Sequence, residues 1–247
     1  KQGVNPHECV YTRVSGIWQT VWMETVPRAY IESYMVLPDI DRGEVKFDFK
    51  FAGVFADEDV EVEIFDGERL VAKGGCDAGE SLDVKLPDHF KLWSPDNPAL
   101  YTFKAECGKD EFIGYFGMRK IEKRKDEKGF LRFYLNNEPC FIMGTLDQGW
   151  WPDGLLTPPS EEAMEYDVKV LKSCGYNALR KHIKVEPLQY YAMCDRLGIL
   201  VIQDLPSGNG DAGSPRKAET VKRYQLQRQE LKEMMDMLSF SPSIVIW

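Results

Sequence analysis

The sequence predicts a multidomain chain of β plus α/β class, in which an antiparallel β-sandwich precedes parallel strands alternating with helices. Three observations carry this expectation. Between Pro27 and about Arg119 apolar residues recur at every second position, the period of half-buried antiparallel strands. From Cys140 to Trp247 short apolar runs alternate instead with helix-like segments, an order that requires parallel pairing through right-handed crossovers. Two of those runs, Asn177-Ala178-Leu179-Arg180-Lys181-His182 and Ile199-Leu200-Val201-Ile202-Gln203-Asp204, end in charged or polar side chains, as strands do when their carboxyl ends carry chemistry.

Taken in order, residues 14–24 set Ile17, Val21 and Met23 against Trp18, Thr20 and Trp22, which reads as one strand with two apolar faces. A lone strand cannot satisfy its own backbone, so residues 1–26 are expected to close a sheet of an upstream domain. Strands are then expected at Ile31–Leu37, Val45–Phe51, Val60–Ile64, Leu82–Leu86, Leu100–Cys107 and Glu111–Met118, with Asp66-Gly67 as a hairpin turn. Roughly seven short strands over residues 27–119 fit an immunoglobulin-like sandwich. The Cys…Trp…Cys pattern of antibody domains is absent, so apolar packing alone should hold it.

Past Met118 the pattern changes. The charged run Lys120–Lys128 leads to a strand at Phe130–Leu135 and a hairpin at Asn136-Asn137-Glu138. Phe141-Ile142-Met143 reads as the first parallel strand, ending at Gly144–Gln148, and a loop with Gly149–Gly154 follows. Ser160 can cap a helix whose first turn holds Glu161 and Glu162 and which stops at Gly175. Asn177–Arg180 is the next strand; Pro187 opens a helix that Gly198 ends, and Ile199–Gln203 is a third strand. After a Gly-rich loop at 207–214, a helix from about Pro215 to Leu238 precedes a fourth strand, Ser243–Trp247. The alternation leaves a doubly wound sheet and half of an eight-stranded barrel open. No G-x-G-x-x-G or G-x-x-x-x-G-K-[ST] follows a strand, which lowers the nucleotide-binding option.

The net charge of -9 argues against nucleic acid or an anionic membrane as partner, since both would be repelled. No window approaches the roughly 18 apolar residues of a membrane helix, and Lys1–Pro6 contain no signal-like core. The chain begins with Lys, so a piece of something longer is expected; compartment stays open, a secreted or periplasmic parent included. The six cysteines form no C-x-x-C pair, so buried free thiols are expected rather than zinc or a disulfide framework.

Several stretches then become familiar. Ser15–Trp22, Leu92-Trp93-Ser94-Pro95-Asp96-Asn97-Pro98-Ala99-Leu100-Tyr101, Phe116–Arg119, Asp147–Gly154, Asn177–His182, Cys194–Gly198 and Pro242–Trp247 resemble, in this order, the family 2 glycoside hydrolases, the group of β-galactosidase, β-mannosidase and β-glucuronidase. The resemblance implies the last strand of a jelly-roll sugar-binding domain (1–26), an immunoglobulin-like β-sandwich (27–119), and the first half of a (β/α)8 TIM barrel (120–247). It also implies cleavage of terminal β-glycosidic bonds with retention. Neither a metal nor a cofactor is expected, since His182 has no second histidine nearby. Both catalytic glutamates of the family would lie beyond Trp247, so the chain itself is expected to be inactive.

The remaining candidates sit at the carboxyl ends of the parallel strands. By resemblance Arg180 orients catalytic carboxylates, with His182 in support, although Arg180-Lys181-His182 departs from the family's Arg-x-Ser-His order. Asp147 and Asp204 would bind sugar hydroxyls, and Trp150, Trp151 or Trp247 would stack on a sugar face. Each has a plainer reading. Arg180 and Asp204 form a buried ion pair; Trp18, Trp22 and Trp93 are core or interface; Arg180, Lys181 and Lys184 grip a phosphate, which the acidic balance disfavours. The alternative function is a non-catalytic carbohydrate- or protein-binding module. The expected partner is a carbohydrate, with a homo-oligomer through the open barrel edge as a further expectation.

Overall fold

The computed structural model describes residues 2–3, 5–6, 11–53, 58–206 and 218–247. The expected loop at 207–214, the start of the last helix at Pro215, and Cys9 lie outside the described residues. Strands β1 (Gln2–Gly3) and β2 (Tyr11–Thr12) form a short parallel pair. Residues 14–24, expected as a strand, carry none. No described strand offers them a ladder, and Trp22 stands 65% exposed rather than packed.

Seven strands follow: β3 (Tyr30–Asp39), β4 (Glu44–Ala52), β5 (Asp59–Asp66), β6 (Arg69–Asp77), β7 (Leu82–Lys85), β8 (Tyr101–Cys107) and β9 (Asp110–Phe116). They pair antiparallel into two sheets, β3-β4-β7 and β6-β5-β8-β9. Period-two alternation sends Val45, Phe47 and Phe49 of one sheet and Val60, Val62, Ile64 and Phe103 of the other into one shared core. Phe47 and Phe103 meet edge to face at 5.0 Å. Gly67 turns the β5–β6 hairpin with φ at +62°, a backbone that glycine adopts without strain.

A small antiparallel sheet of β10 (Ile121–Lys125), β11 (Leu131–Leu135) and β12 (Glu138–Pro139) leads to the parallel part. There β13 (Gly144–Asp147), α1 (Glu161–Ser173), β14 (Ala178–Lys181), α2 (Leu188–Leu197), β15 (Leu200–Gln203), α3 (Ala218–Leu238) and β16 (Ile244–Ile246) alternate. The four strands are parallel and ordered as in sequence, so β13 and β16 are the outer ones. The expected strand at Phe141–Met143 instead begins at Gly144. Asn177 is the reason: its side chain accepts from Met143 N at 2.8 Å and donates to Phe141 O at 2.8 Å, standing in for a ladder. Ser160 caps α1 through Ala163 N, and Gly175 and Tyr176 N–H groups return to Lys172 and Leu171 carbonyls, closing its end.

The antiparallel and parallel parts are joined by a polar knot. The Asp195 carboxylate, on α2, accepts from Tyr115 OH at 2.7 Å, Ser241 Oγ at 2.6 Å and Ser243 N at 2.8 Å. Trp93, fully buried, donates to Asp195 O at 2.9 Å. Arg119 donates to the carbonyls of Pro242 at 2.6 Å and Ile244 at 2.9 Å, and Lys172 to those of Pro95 and Gly198. The stretches Leu92–Tyr101 and Cys194–Gly198 are thus structural mortar. Cys107 and Cys194 are buried free thiols as expected, whereas Cys174 is exposed. No helix among the described residues is long and apolar enough to cross a membrane.

Candidate functional site

The register of the parallel sheet sorts the candidate side chains. Asp147 pairs with Lys181, and Lys181 with Gln203; Leu146 pairs with Arg180, and Arg180 with Ile202. Since successive side chains alternate faces, Asp147, Lys181 and Gln203 share one face, while Arg180 belongs to the other.

On the Arg180 face a guanidinium fork holds Asp204: Nε reaches Oδ1 at 2.9 Å and Nη2 reaches Oδ2 at 2.9 Å, the bidentate geometry that favours arginine. His182 Nε2 stands 3.9 Å from Asp204 Oδ2. The plainer reading of a buried pair is corrected here, because the Arg180 side chain is 51% exposed. The pair sits at an open surface, where a ligand can reach it.

Asp147 does not join them. Its backbone carbonyl accepts from His182 N at 2.8 Å, but its carboxylate turns to the opposite face. There Lys181 Nζ meets it at 2.7 Å, Tyr190 OH at 2.7 Å and Gly149 N at 2.8 Å. Four expected mouth residues therefore become three, and the alternation of strand faces is the cause. Burial pushes the Asp147 carboxyl up, yet the charge and hydrogen bond of Lys181 outweigh it and leave the acid below its usual range.

The sequence reading missed what surrounds Asp147. Lys181, fully buried, also meets Glu186 Oε1 at 2.8 Å, and Lys184 Nζ meets the same oxygen at 2.8 Å. Lys184 further donates to the carbonyls of Gly149 and Leu156, both at 2.7 Å. Two ammonium groups and two carboxylates balance in a desolvated cluster. Burial pulls the Lys184 ammonium below its ordinary range; for Lys181 burial acts the same way, but Asp147 and Glu186 overcome it and raise the group. The phosphate-grip reading fails for this reason, since Lys181 and Lys184 are committed to internal oxygens. Tyr191 OH donates to Gln203 Oε1 at 2.7 Å, and Gln203 Nε2 to Lys184 O at 2.8 Å, extending the network. Parity with Asp147 along the strands was the available signal for Lys181 and Gln203.

The neighbouring tryptophans also part. Trp150 stacks on Tyr11, with centroids 4.4 Å apart and planes within 8°. Together with Trp18, Gln148, His182 and Ile183 these rings line a cavity of about 510 Å³. Trp151 exchanges backbone hydrogen bonds with Leu155 and packs on the Met164–Val168 core instead, so it offers no sugar platform on this face. Trp247 follows Ile246, the register partner of Ile202, and is partly exposed. No group of His, Cys, Asp and Glu among the described residues is arranged to hold a metal ion.

Residues 29–119 match the family described as glycosyl hydrolases family 2. A β-galactosidase of Lactococcus lactis is 26% identical over 249 residues, covering 95% of this chain and 24% of that protein. Residues 29–119 belong to glycosyl hydrolase family 2. A putative β-glucuronidase of Formosa agariphila is 29% identical over 234 residues, covering 87% of this chain and 21% of its own length. Among solved structures, the Faecalibacterium prausnitzii β-glucuronidase superposes with a TM-score of 0.75 at 27% identity, over 90% of this chain and 36% of that one. The chain thus spans roughly a fifth to a third of the length of these curated relatives.

Proposed function

We propose that this chain is the central part of a retaining β-glycosidase. In this reading residues 1–26 close an upstream jelly-roll sugar-binding domain, 27–119 form an immunoglobulin-like sandwich, and 120–247 form the first half of a (β/α)8 barrel. The two antiparallel sheets of three and four strands around one core support the second assignment. Parallel strands ordered as in sequence support the third. The names of the relatives point to a terminal β-galactoside or β-glucuronide as the substrate class.

The observation that carries the reading is the Arg180–Asp204 fork with His182 beside it, at the carboxyl ends of β14 and β15 and next to an aromatic-lined cavity. Asp204 and Trp150 would meet the sugar directly, Trp247 would flank it, and Arg180 and His182 would orient acidic groups; Asp147 would support the wall from behind. Retaining hydrolysis requires two carboxyl groups about 5–5.5 Å apart. Among the described residues this mouth offers Asp204 alone, and both of its oxygens engage Arg180. This chain should therefore bind glycosides without cleaving them.

The test is a p-nitrophenyl β-galactoside and β-glucuronide assay with the purified chain, beside a binding titration of the same compounds. Binding without release of p-nitrophenol is expected; release that disappears in Asp204→Ala would overturn the inactivity. Engaged Asp204 also fits the second reading, a binding module whose parent is not an enzyme. An Asn-Glu pair encoded within about four positions after Trp247, where the resemblance expects the acid/base glutamate, would favour the enzyme. The outer strands β13 and β16 further lead us to expect a homo-oligomer through that edge; a monomer by light scattering would count against it.

A further inference from the structure

The last strand of the parallel sheet carries an irregularity that its own residues do not specify. Val201 of β15 pairs with Ile244 and Ile202 with Ile246, so Val245 is an extra residue, a bulge. A ladder with Val245 opposite Val201 would keep Ile246 opposite Ile202 and need no bulge. Ile244 and Val245 are both apolar and β-branched, so in that ladder each would take the other's place, Ile244 leaving the core behind the sheet and Val245 the one around Trp93. Register is normally fixed by which alternate residues are apolar, and an unbroken apolar run withholds that information.

The pin comes from outside the sheet. Ser243 O accepts from Val201 N at 2.8 Å, so the next carbonyl, that of Ile244, turns to the edge away from β15. Arg119, three residues past the end of β9 in the sandwich, meets it there. Its Nη2 donates to Ile244 O at 2.9 Å and its Nε to Pro242 O at 2.6 Å. A planar guanidinium holds two acceptors at a fixed spacing, which an ammonium does not. The backbone leading to Arg119 is seated as closely: a Cβ on Gly117 would lie 2.8 Å from Trp93 Cβ and 3.0 Å from Pro242 Cβ. From α2, Asp195 Oδ1 accepts from Ser243 N at 2.8 Å. In the bulge-free ladder Ile244 O would accept from Val201 N instead and leave the guanidinium.

We propose that Arg119 is a positioning residue that fixes the register of β16, so that the sandwich, through one guanidinium, forces the bulge at Val245. A bulge bends its strand, and the bend sets the direction in which Trp247 leaves the sheet. The register stands on the sheet alone; its consequence for the mouth rests on the glycosidase reading above.

Nuclear Overhauser contacts in the methyl-labelled, purified chain read the register directly. Unaltered, Val201 and Ile244, which share one core, should show a methyl–methyl contact. Arg119→Lys keeps the charge and loses the fork, and the Val201–Ile244 contact should give way to one between Val201 and Val245. Arg119→Ala should do the same, and millimolar methylguanidinium, but not methylammonium, should restore the original contact. Emission of Trp247, isolated as the difference from the Trp247→Phe counterpart of each chain, should shift with the register. A Val201–Ile244 contact kept in both variants would overturn the inference. So would loss of cooperative unfolding in both, since Arg119 would then serve the fold as a whole. A changed register with unmoved Trp247 emission would overturn the consequence at the mouth. No glycoside enters these measurements, so their failure leaves the glycosidase reading standing.

Discussion

Asp195 gives the sharpest quantitative expectation. Its carboxylate lies fully buried in the joint and accepts from Ser241, Tyr115 and Ser243. Burial pushes its pKa up to about 6 despite those three bonds. The unfolded value is near 3.8, so ionising the folded chain costs about 3 kcal/mol, at 1.36 kcal/mol for each of roughly two units. The sign follows from the raised pKa: the contribution is fully present below about 3.8 and is lost as pH rises through about 6. An amide at this position would not titrate, so every other group cancels in the comparison of wild type with Asp195→Asn. Between pH 4 and pH 7.5 that difference should move in favour of the amide variant by about 2 kcal/mol. In melting temperature this is about 4–8 °C for a chain of this length. Thermal unfolding of both proteins by circular dichroism across that range measures it. A difference that stays flat, or that moves toward the wild type as pH rises, would refute the assignment of burial as the dominant influence.

Other consequences follow from the same contacts. Lys181→Met leaves the Asp147 and Glu186 carboxylates buried without a central cation; denaturant unfolding should show a loss of about 3–5 kcal/mol. Arg180→Lys breaks the fork at an exposed position and should change stability by less than about 1 kcal/mol, while weakening any glycoside binding that the titrations detect. Gly198 has φ of +72°, and a Cβ there would come within 2.6 Å of Pro95 O. Gly198→Ala should therefore destabilise by about 2 kcal/mol or more, with Trp93 fluorescence reporting the loosened joint.

Much of this protein was legible without coordinates because it depends on short-range periodicity. Val45, Phe47 and Phe49 announce a buried strand face by alternation, and Ser160 with Gly175 brackets α1 through capping chemistry. The family could be read from ordered motifs, and Arg180 and Asp204 from their positions at the ends of parallel strands. The polar knot at Asp195 was not legible, since its partners Tyr115, Ser241 and Ser243 come from distant stretches. The same holds for the stacking of Tyr11 on Trp150 across the chain.

What the amino-acid order determined is the succession of antiparallel strands and then alternating strands and helices, which residues alternate, and which family the chain resembles, because these follow from backbone preference and local pattern. Tertiary structure alone decided that Arg180 opens onto solvent with Asp204 while Asp147 turns inward to Lys181. Whether a charged side chain serves the mouth or the interior depends on the register between strands and on what packs behind them. A carboxylate next to a buried ammonium is held by desolvated Coulomb attraction that no reading of spacing along one strand can weigh.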